Sequence, residues 1–284
     1  ESAGRKVWLS PRDVKVERDA KGRALSAIDI RTGLPVHSGG ITKMSKSKNN
    51  GIDPQTTIDK YGADTVRLFT MFAAPPEQTL EWSDEGVSGA YRFLRKLWKM
   101  VHDHLRLNSA DPLNVGSLNE TQKDLRRKTH ETIGKVNDDY GRRNTFNTAI
   151  AAVMELLNDI AKLNESDAQS IAVRHEALTC AILLLSPVAP HICHSLWATL
   201  GNSESVADAS WPVVDESALV RMTITLVLQV NGKVRGKIEV SADISKQDIE
   251  EIALQDANVQ RFIEGFTIRK IIIVPGRLIN IVAN

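Results

Sequence analysis

The sequence predicts a multi-domain, mainly α protein. Its parts are a small β unit, a mixed segment carrying a lysine-rich loop, an antiparallel helix bundle and a small C-terminal α+β domain. Three observations predict this. Residues 1–40 hold short alternating runs broken by Gly and Pro, residues 86–200 carry apolar residues at spacings of three and four throughout, and from Ile224 the period switches to two. A chain of 284 residues, 42% hydrophobic and 25% charged, suits about two domains or a few smaller ones with substantial cores.

Along residues 1–40, Val14 and Val16 alternate with charged neighbours. "RDAKGR" at Arg18–Arg23 reads as a turn, and Ala24–Ile30 resumes the alternation. Two or three such strands form too little core to stand alone, so they are expected to lean on something else. Residues 41–85 are mixed. Asp53-Pro54 opens a helix with proline at its first position and Gly62 ends it. Asp64 then caps a second helix carrying Val66, Leu68, Phe69 and Phe72, which "APPE" stops.

Residues 86–202 contain five apolar stripes at helical spacing. The first runs from Val87 to Leu105, the second from Leu125 to Tyr140 and the third from Phe146 to Ala161. The fourth, Ile171 to Leu185, stops at Ser186-Pro187, and the fifth runs from Pro190 to Gly201. One stripe per helix implies helices packed on each other as a bundle. A polar linker follows. Residues 223–284 read as an α+β domain: Ile224 to Val230 alternate, Asn231-Gly232 is a hairpin turn, Ser245 and Asp248 are a capping pair ahead of a helix carrying Ile249, Ile252 and Ala253, and a second hairpin closes at Val274–Arg277.

Net charge is +1, so a nucleic-acid partner would be met by local patches and not by a whole-molecule field. Cys180 and Cys193 fit no CxxC pattern and read as buried free thiols. No apolar run of membrane-spanning length stands out, and neither does a signal peptide. The first residue is Glu1, so targeting is not read from that end. His191, Cys193 and His194 lack further ligands and read as packing and capping residues, not as a metal site. Trp82, Trp98, Trp197 and Trp211 read as core or interface aromatics, while Trp8 has no assignable place.

"ITKMSKSKNN" at residues 41–50 holds three lysines and no acid. By charge alone it is a solvated loop, a nuclear signal or a heparin-like patch. The order of its residues adds a further possibility. Lysine is a point charge on a flexible stem, suited to a polyphosphate. Hydroxyls and backbone N–H groups bond phosphate oxygens, and Gly39-Gly40 and Gly51 flank the segment. A mobile cationic loop brought to developing phosphate charge is a catalytic device. The Walker pattern GxxxxGK[ST] is absent.

"KMSKS" at Lys43–Ser47 resembles the signature loop of class I aminoacyl-tRNA synthetases letter for letter. "NNGIDP", "YGADTVRLF" and "LEW" follow it as in the leucyl, isoleucyl and valyl branch. "SPVAPHICHSLW" at Ser186–Trp197 resembles the turn of that branch's anticodon-binding bundle. "LQVNGKVRGKI" and "VPGRLINIV" are similar to the C-terminal domain of the bacterial-type leucyl-tRNA synthetases, and "WLSPRDVKVERDAKGR" resembles their leucine-specific insertion. The resemblance therefore implies four parts: 1–40 as that insertion, 41–85 as the KMSKS loop with a helical stem segment, 86–202 as an anticodon-binding-like bundle, and 223–284 as a tRNA-binding domain.

The resemblance also implies an activity for the whole enzyme. Leucine reacts with ATP and Mg²⁺ to give leucyl-adenylate and pyrophosphate, and the acyl group passes to the 3′ end of tRNA(Leu). Lys43 and Lys46 would be the catalytic cations, with Lys46 the direct ATP contact and Lys43 assisting. Ser45 and Ser47 would shape the loop or bond phosphate, and Met44 would pack. A cytoplasmic monomer with no membrane partner is implied. No H-x-G-H stretch surrounds any of the seven histidines, and no long βαβ series appears. The chain is therefore expected to be the C-terminal third of a larger enzyme. Alone it would be inactive and hold neither ATP nor Mg²⁺ tightly, while leucine would be met by the missing part. The alternative is a stand-alone RNA-binding module with a synthetase-like body.

Two cationic groups are candidates for the tRNA backbone. Arg142 and Arg143 follow the second bundle helix, which itself carries Lys123, Arg126, Arg127, Lys128 and Lys135. Lys233, Arg235 and Lys237 alternate on one strand, and period two puts all three on one face. A solvated helix or sheet face is the plainer reading of each.

Overall fold

A computed structural model describes residues 7–20, 24–37, 39–40, 42–107, 111–220, 223–242 and 244–284. Among them lie nine α-helices and six strands. In chain order they are β1 (Val14–Arg18), β2 (Ala24–Asp29), α1 (Pro54–Tyr61), α2 (Ala63–Ala73), α3 (Asp84–Leu105), α4 (Glu120–Asp138), α5 (Phe146–Ile160), α6 (Ala168–Leu185), α7 (Pro190–Thr199), β3 (Thr223–Val230), β4 (Lys233–Ser241), α8 (Lys246–Gln255), α9 (Ala257–Ile263), β5 (Ile268–Val274) and β6 (Leu278–Ala283). They divide into two compact units. One joins Glu1–Arg106, Asp139–Met154 and Leu185–Ala209. The other joins Leu107–Asp138, Glu155–Leu184 and Ser210–Asn284.

In the first unit β1 and β2 pair antiparallel, Val14 opposite Asp29, and Pro35 bridges Ile28. The tip of the expected turn, residues 21–23, lies outside the described residues. Asp53 caps α1 by accepting the Gln55 N–H at 3.2 Å, with Pro54 in the first turn, and Gly62 ends the helix at φ +85°. Arg12 leans on this start, donating to Thr56 Oγ1 at 3.0 Å. α3 buries Val87, Ala90, Leu94, Leu97 and Val101 along one stripe, as the spacing predicts. A Cβ on Gly86 would sit 2.7 Å from the Phe69 ring, so glycine is what lets the start of α3 approach α2.

The expectation for Asp64 is corrected. Gly62, not Asp64, precedes α2, and the buried Asp64 carboxylate reaches α7 instead. It accepts the Ile192 N–H at 2.7 Å and the His191 Nδ1–H at 2.8 Å. Ala189, at the cap position of α7, offers no side-chain oxygen, so the helix takes its cap from elsewhere in the chain. Arg67, one turn further along α2, donates to the carbonyls of Pro187 and Val188, each at 3.0 Å. The two stretches "YGADTVRLF" and "SPVAPHICHSLW" thus bond each other directly.

In the second unit α4 buries Leu125, Thr129, Ile133 and Val136 and ends at Asp138, two residues before the expected Tyr140. A single π-turn, Asp139–Arg143, follows. α6 also corrects the sequence reading. It is long and apolar enough to cross a membrane by length and composition, with mean hydropathy 1.2, yet 61% of it is buried inside the protein, as in a core helix. Cys180 on α6 and Cys193 on α7 are buried free thiols. Burial pushes Cys180 up to about 12 and Cys193 higher still.

The C-terminal sheet has the order β4-β3-β6-β5, with β3 and β6 parallel and the other pairs antiparallel. Leu226, Leu228, Val230, Ile279 and Ile281 form one core with Ile249, Ala253 and Val259 of α8 and α9. Fully burying each large aliphatic side chain contributes about 1.5–3 kcal/mol. Asn231 (φ +51°) and Gly232 (φ +77°) make the expected hairpin turn, in which both central residues need positive φ. Ser245 caps α8 through the Asp248 N–H at 3.1 Å. α9 was not foreseen. Asp256 starts it by accepting the Asn258 and Val259 N–H groups, each at 3.0 Å.

Candidate functional site

The lysine loop is an ordered turn. Lys46–Lys48 form one 3₁₀ turn, and Ser45 caps it by accepting the Lys48 N–H at 3.2 Å. Ser45 and Ser47 hydroxyls meet at 3.1 Å. Asn49 is left-handed (φ +50°, ψ +28°) and turns the chain back. The side chain of Asn50 then reaches the loop's beginning. Its Oδ1 accepts the Ser45 N–H at 2.7 Å, and its Nδ2 donates to Thr42 Oγ1 at 3.1 Å and to the Lys43 carbonyl at 3.3 Å.

Lys43 and Lys46 are exposed, and among the described residues neither has an acidic partner. From Thr42 to Ile52 there is no carboxylate at all. Lys48 sits with its Nζ 5.9 Å from the centre of the Trp8 ring, which gives Trp8 a place that the sequence did not. Met44 does not pack as expected. It is 45% exposed, because polar bonds close this turn. The loop thus presents two cations and two hydroxyls on a backbone that is already folded. That set suits phosphate oxygens and does not suit a metal ion.

Of the other candidates, Arg143 pairs with Asp139 at 3.2 Å, and Asp139 is fully buried, also accepting from Thr145 at 3.0 Å and Thr148 at 2.6 Å. Arg142 is exposed on the same π-turn. The expectation that Lys233, Arg235 and Lys237 share a face is corrected by a bulge. Gln229 pairs with Val234 but Leu228 pairs with Gly236, so Arg235 is the extra residue. Lys233 opposes the core residue Val230, whereas Lys237 opposes Val227 on the other face. Arg235 lies over the Phe262 ring of α9 at 3.5 Å.

The run on α4 is corrected as well. Arg126 is 6% exposed and forms ion pairs with Glu176 at 3.2 Å and Asp215 at 2.6 Å. Lys123 pairs with Glu120 at 2.9 Å, Lys128 with Glu155 at 2.9 Å and Arg127 with Asp124. His130 completes the network. Its Nδ1 accepts the Asp215 N–H at 3.0 Å, and its Nε2 faces Glu176 at 3.3 Å. The Arg126 guanidinium and the Ser217 hydroxyl and N–H hold Asp215 well below the usual carboxylate range. Trp197 is buried and Trp82 packs edge-on to Phe69, but Trp98 is 41% exposed, its ring tilted 46° to that of His102.

Residues 30–83, which contain the loop, match the family model for tRNA synthetases class I (I, L, M and V), and residues 122–251 match the model for the anticodon-binding domain of tRNA ligase. Leucine–tRNA ligase of Marinobacter nauticus is 62% identical over all of this chain, which covers 33% of that protein. The ligase of Cellvibrio japonicus is 60% identical over the same span and share. From end to end, this chain is similar to a leucine–tRNA ligase. It spans about a third of the length of the ligases it matches. The fold agrees. The LeuRS in the crystal structure of the Agrobacterium radiobacter K84 agnB2 LeuRS–tRNA–LeuAMS ternary complex superimposes with a TM-score of 0.72 at 28% identity, over 85% of this chain and 32% of that one.

Asn50, Asp64 and Arg126 had no assigned roles of this kind in the sequence. Asn50 carried a faint signal, since asparagine after a basic loop is a residue that bonds nearby backbone. The other two act across long stretches of chain and left none.

Proposed function

We propose that this chain is the C-terminal part of a leucine–tRNA ligase, supplying the loop that handles ATP and the surfaces that hold tRNA(Leu). The observation that carries it is the pair Lys43 and Lys46, exposed and without acidic partners among the described residues, on a preformed turn inside the class I match. In the first step the leucine carboxylate attacks the α-phosphorus of ATP. The bond to the β-phosphate oxygen breaks, and the negative charge grows on the departing pyrophosphate. Lys46 neutralises that charge directly, with Lys43 beside it and the Ser45 and Ser47 hydroxyls bonding phosphate or holding the turn. Fixed donors aimed at developing charge are worth most because nothing reorganises at the moment of reaction. The Mg²⁺ used with ATP finds no carboxylate on Thr42–Ile52, so this segment's own contribution is cationic. In the second step the tRNA 3′-terminal hydroxyl takes the leucyl group and AMP leaves.

The proposed layout is the insertion at 1–40, loop and stem at 41–85, bundle at 86–202 and the tRNA-binding domain at 223–284. A cytoplasmic monomer is part of the same reading. Arg142 and Arg143 are proposed as tRNA candidates, Arg143 with its charge shared with the buried Asp139. Lys233 and Lys237 lie on opposite faces, so at most one of them joins a given docking surface, with Arg235 tied to Phe262. The test uses the full-length ligase. Deleting 223–284 is expected to weaken tRNA charging while ATP–pyrophosphate exchange continues, and loss of both together would remove the docking role. The isolated chain is expected to bind tRNA weakly and less as salt rises.

A further inference from the structure

The position of two lysines on a loop is only as good as the backbone that presents them. Here three bonds from one carboxamide hold that backbone. Asn50 spends both Nδ2 hydrogens, on Thr42 Oγ1 (3.1 Å) and the Lys43 carbonyl (3.3 Å), and its Oδ1 takes the Ser45 N–H (2.7 Å). The loop's exit is thereby tied to three points of its entry, Thr42, Lys43 and Ser45, with Lys46 on the turn that Ser45 caps. We infer that Asn50 is the positioning residue of this loop, setting where Lys43 and Lys46 deliver their charge. The inference rests on the proposed role of the loop in ATP activation.

The chemistry of the position admits few other side chains. The partners are one N–H, one carbonyl and one hydroxyl, so the residue must accept from the first and donate to the second, while the hydroxyl takes either role. Among side chains of this length a primary amide does both from adjacent atoms. Aspartate keeps the acceptor and has no donor. Glutamine adds a methylene and moves the fork away. Asn49 does the complementary work. Its left-handed conformation reverses the chain so that the next side chain points back at the entry, and asparagine tolerates that region better than other non-glycine residues. Asn50 does not touch the nucleotide in this account. It acts through the lysines, as a clamp that removes freedom from the cations before ATP arrives. A misplacement of about 1 Å in such a group costs up to about 10²-fold in rate.

The experiment is ATP–pyrophosphate exchange in the full-length ligase, with Asn50→Ala, Lys46→Ala and the double variant. Asn50→Ala is expected to lower the maximal exchange rate by roughly 10- to 100-fold with the KM for leucine and the melting temperature unmoved. In the Lys46→Ala background, adding Asn50→Ala is expected to cost clearly less than in the parent, since the Lys46 share is already lost and only the positioning of Lys43 remains. Asn50→Asp, which loses both donors, is expected to stay slow. An Asn50→Ala enzyme that exchanges at the parental rate overturns the inference, as does a double variant whose loss is the full product of the single ones. If Lys46→Ala itself exchanges normally, the proposed function of the loop has failed. If Lys46→Ala is slow and Asn50→Ala is normal, only the clamp has failed. Should Asn50→Ala not fold, Thr42→Val removes one of the three bonds at an exposed side chain and carries the same test with a smaller fall.

Discussion

Lys43 and Lys46 on the loop and Lys123, Arg126, Arg127 and Lys128 on α4 are the same chemical type in two settings. On α4 each of the four cations has an acid: Glu120, Glu176 with Asp215, Asp124 and Glu155. On the loop no acid lies within eleven residues of chain from Thr42 to Ile52, and the hydrogen bonds there go to backbone and hydroxyls. The sequence shows two basic runs of similar density. The difference is that α4 has spent its charge on its own unit, while the loop has charge left to offer a ligand.

The comparison is most exposed at Arg126. Removing it leaves Glu176, mostly buried, without its cation, while water reaches Asp215, whose side chain is 41% exposed, so the loss is real but smaller than that of a fully buried pair. Urea denaturation of Arg126→Ala is expected to show that loss, and a stability equal to the parent would mean that α4 holds its cations idle. Next is Lys46→Ala in the full-length ligase. Pyrophosphate exchange is expected to fall about 10²–10³-fold with stability unchanged, the mirror image of Arg126→Ala. A loss of stability with unchanged exchange would erase the contrast.

Acid titration sharpens the α4 side. Asp215 is held low in the folded chain, chiefly by the Arg126 hydrogen bond and then by Ser217. Its contribution to stability is present above the unfolded carboxylate value of about 3.9 and is lost as pH falls through the lower folded value. The gap in stability between the parent chain and Asp215→Asn is therefore expected near neutral pH and is expected to close below about pH 4. A gap that persists in acid would point to packing instead of charge. The smallest effect belongs to Lys123→Ala, whose partner Glu120 is largely exposed. A change below about 1 kcal/mol is expected by thermal melting, and a larger one would show that the exposed pairs matter as much as the buried one.

Legibility followed the range of the interaction. α1, α3, α5, α6 and α7 begin and end within a few residues of where spacing, proline and glycine put them, because caps and stripes are local. The Asn231-Gly232 turn and the Ser245 cap were readable for the same reason. α9 was missed because seven residues carry too short a stripe to show a period. The face of Lys233, Arg235 and Lys237 was misjudged because one inserted residue shifts the parity of everything after it, and period two has no means of announcing a bulge. The loop's lysines were legible as a candidate site. The carboxamide that folds the loop was not, since "NN" reads as a turn whether or not its side chain reaches back.

By itself the sequence determined where the longer helices and the hairpins lie, which five residues form the cationic motif and which ligases it resembles, because those depend on neighbours in the chain. Only the tertiary structure decided which charges remain available. Asp64 caps a helix 126 residues away, and Arg126 is closed off by acids 50 and 89 residues further on. Charge neutralisation works over a few ångströms in space, and the spacing of residues along a chain carries no record of that distance until the chain has folded.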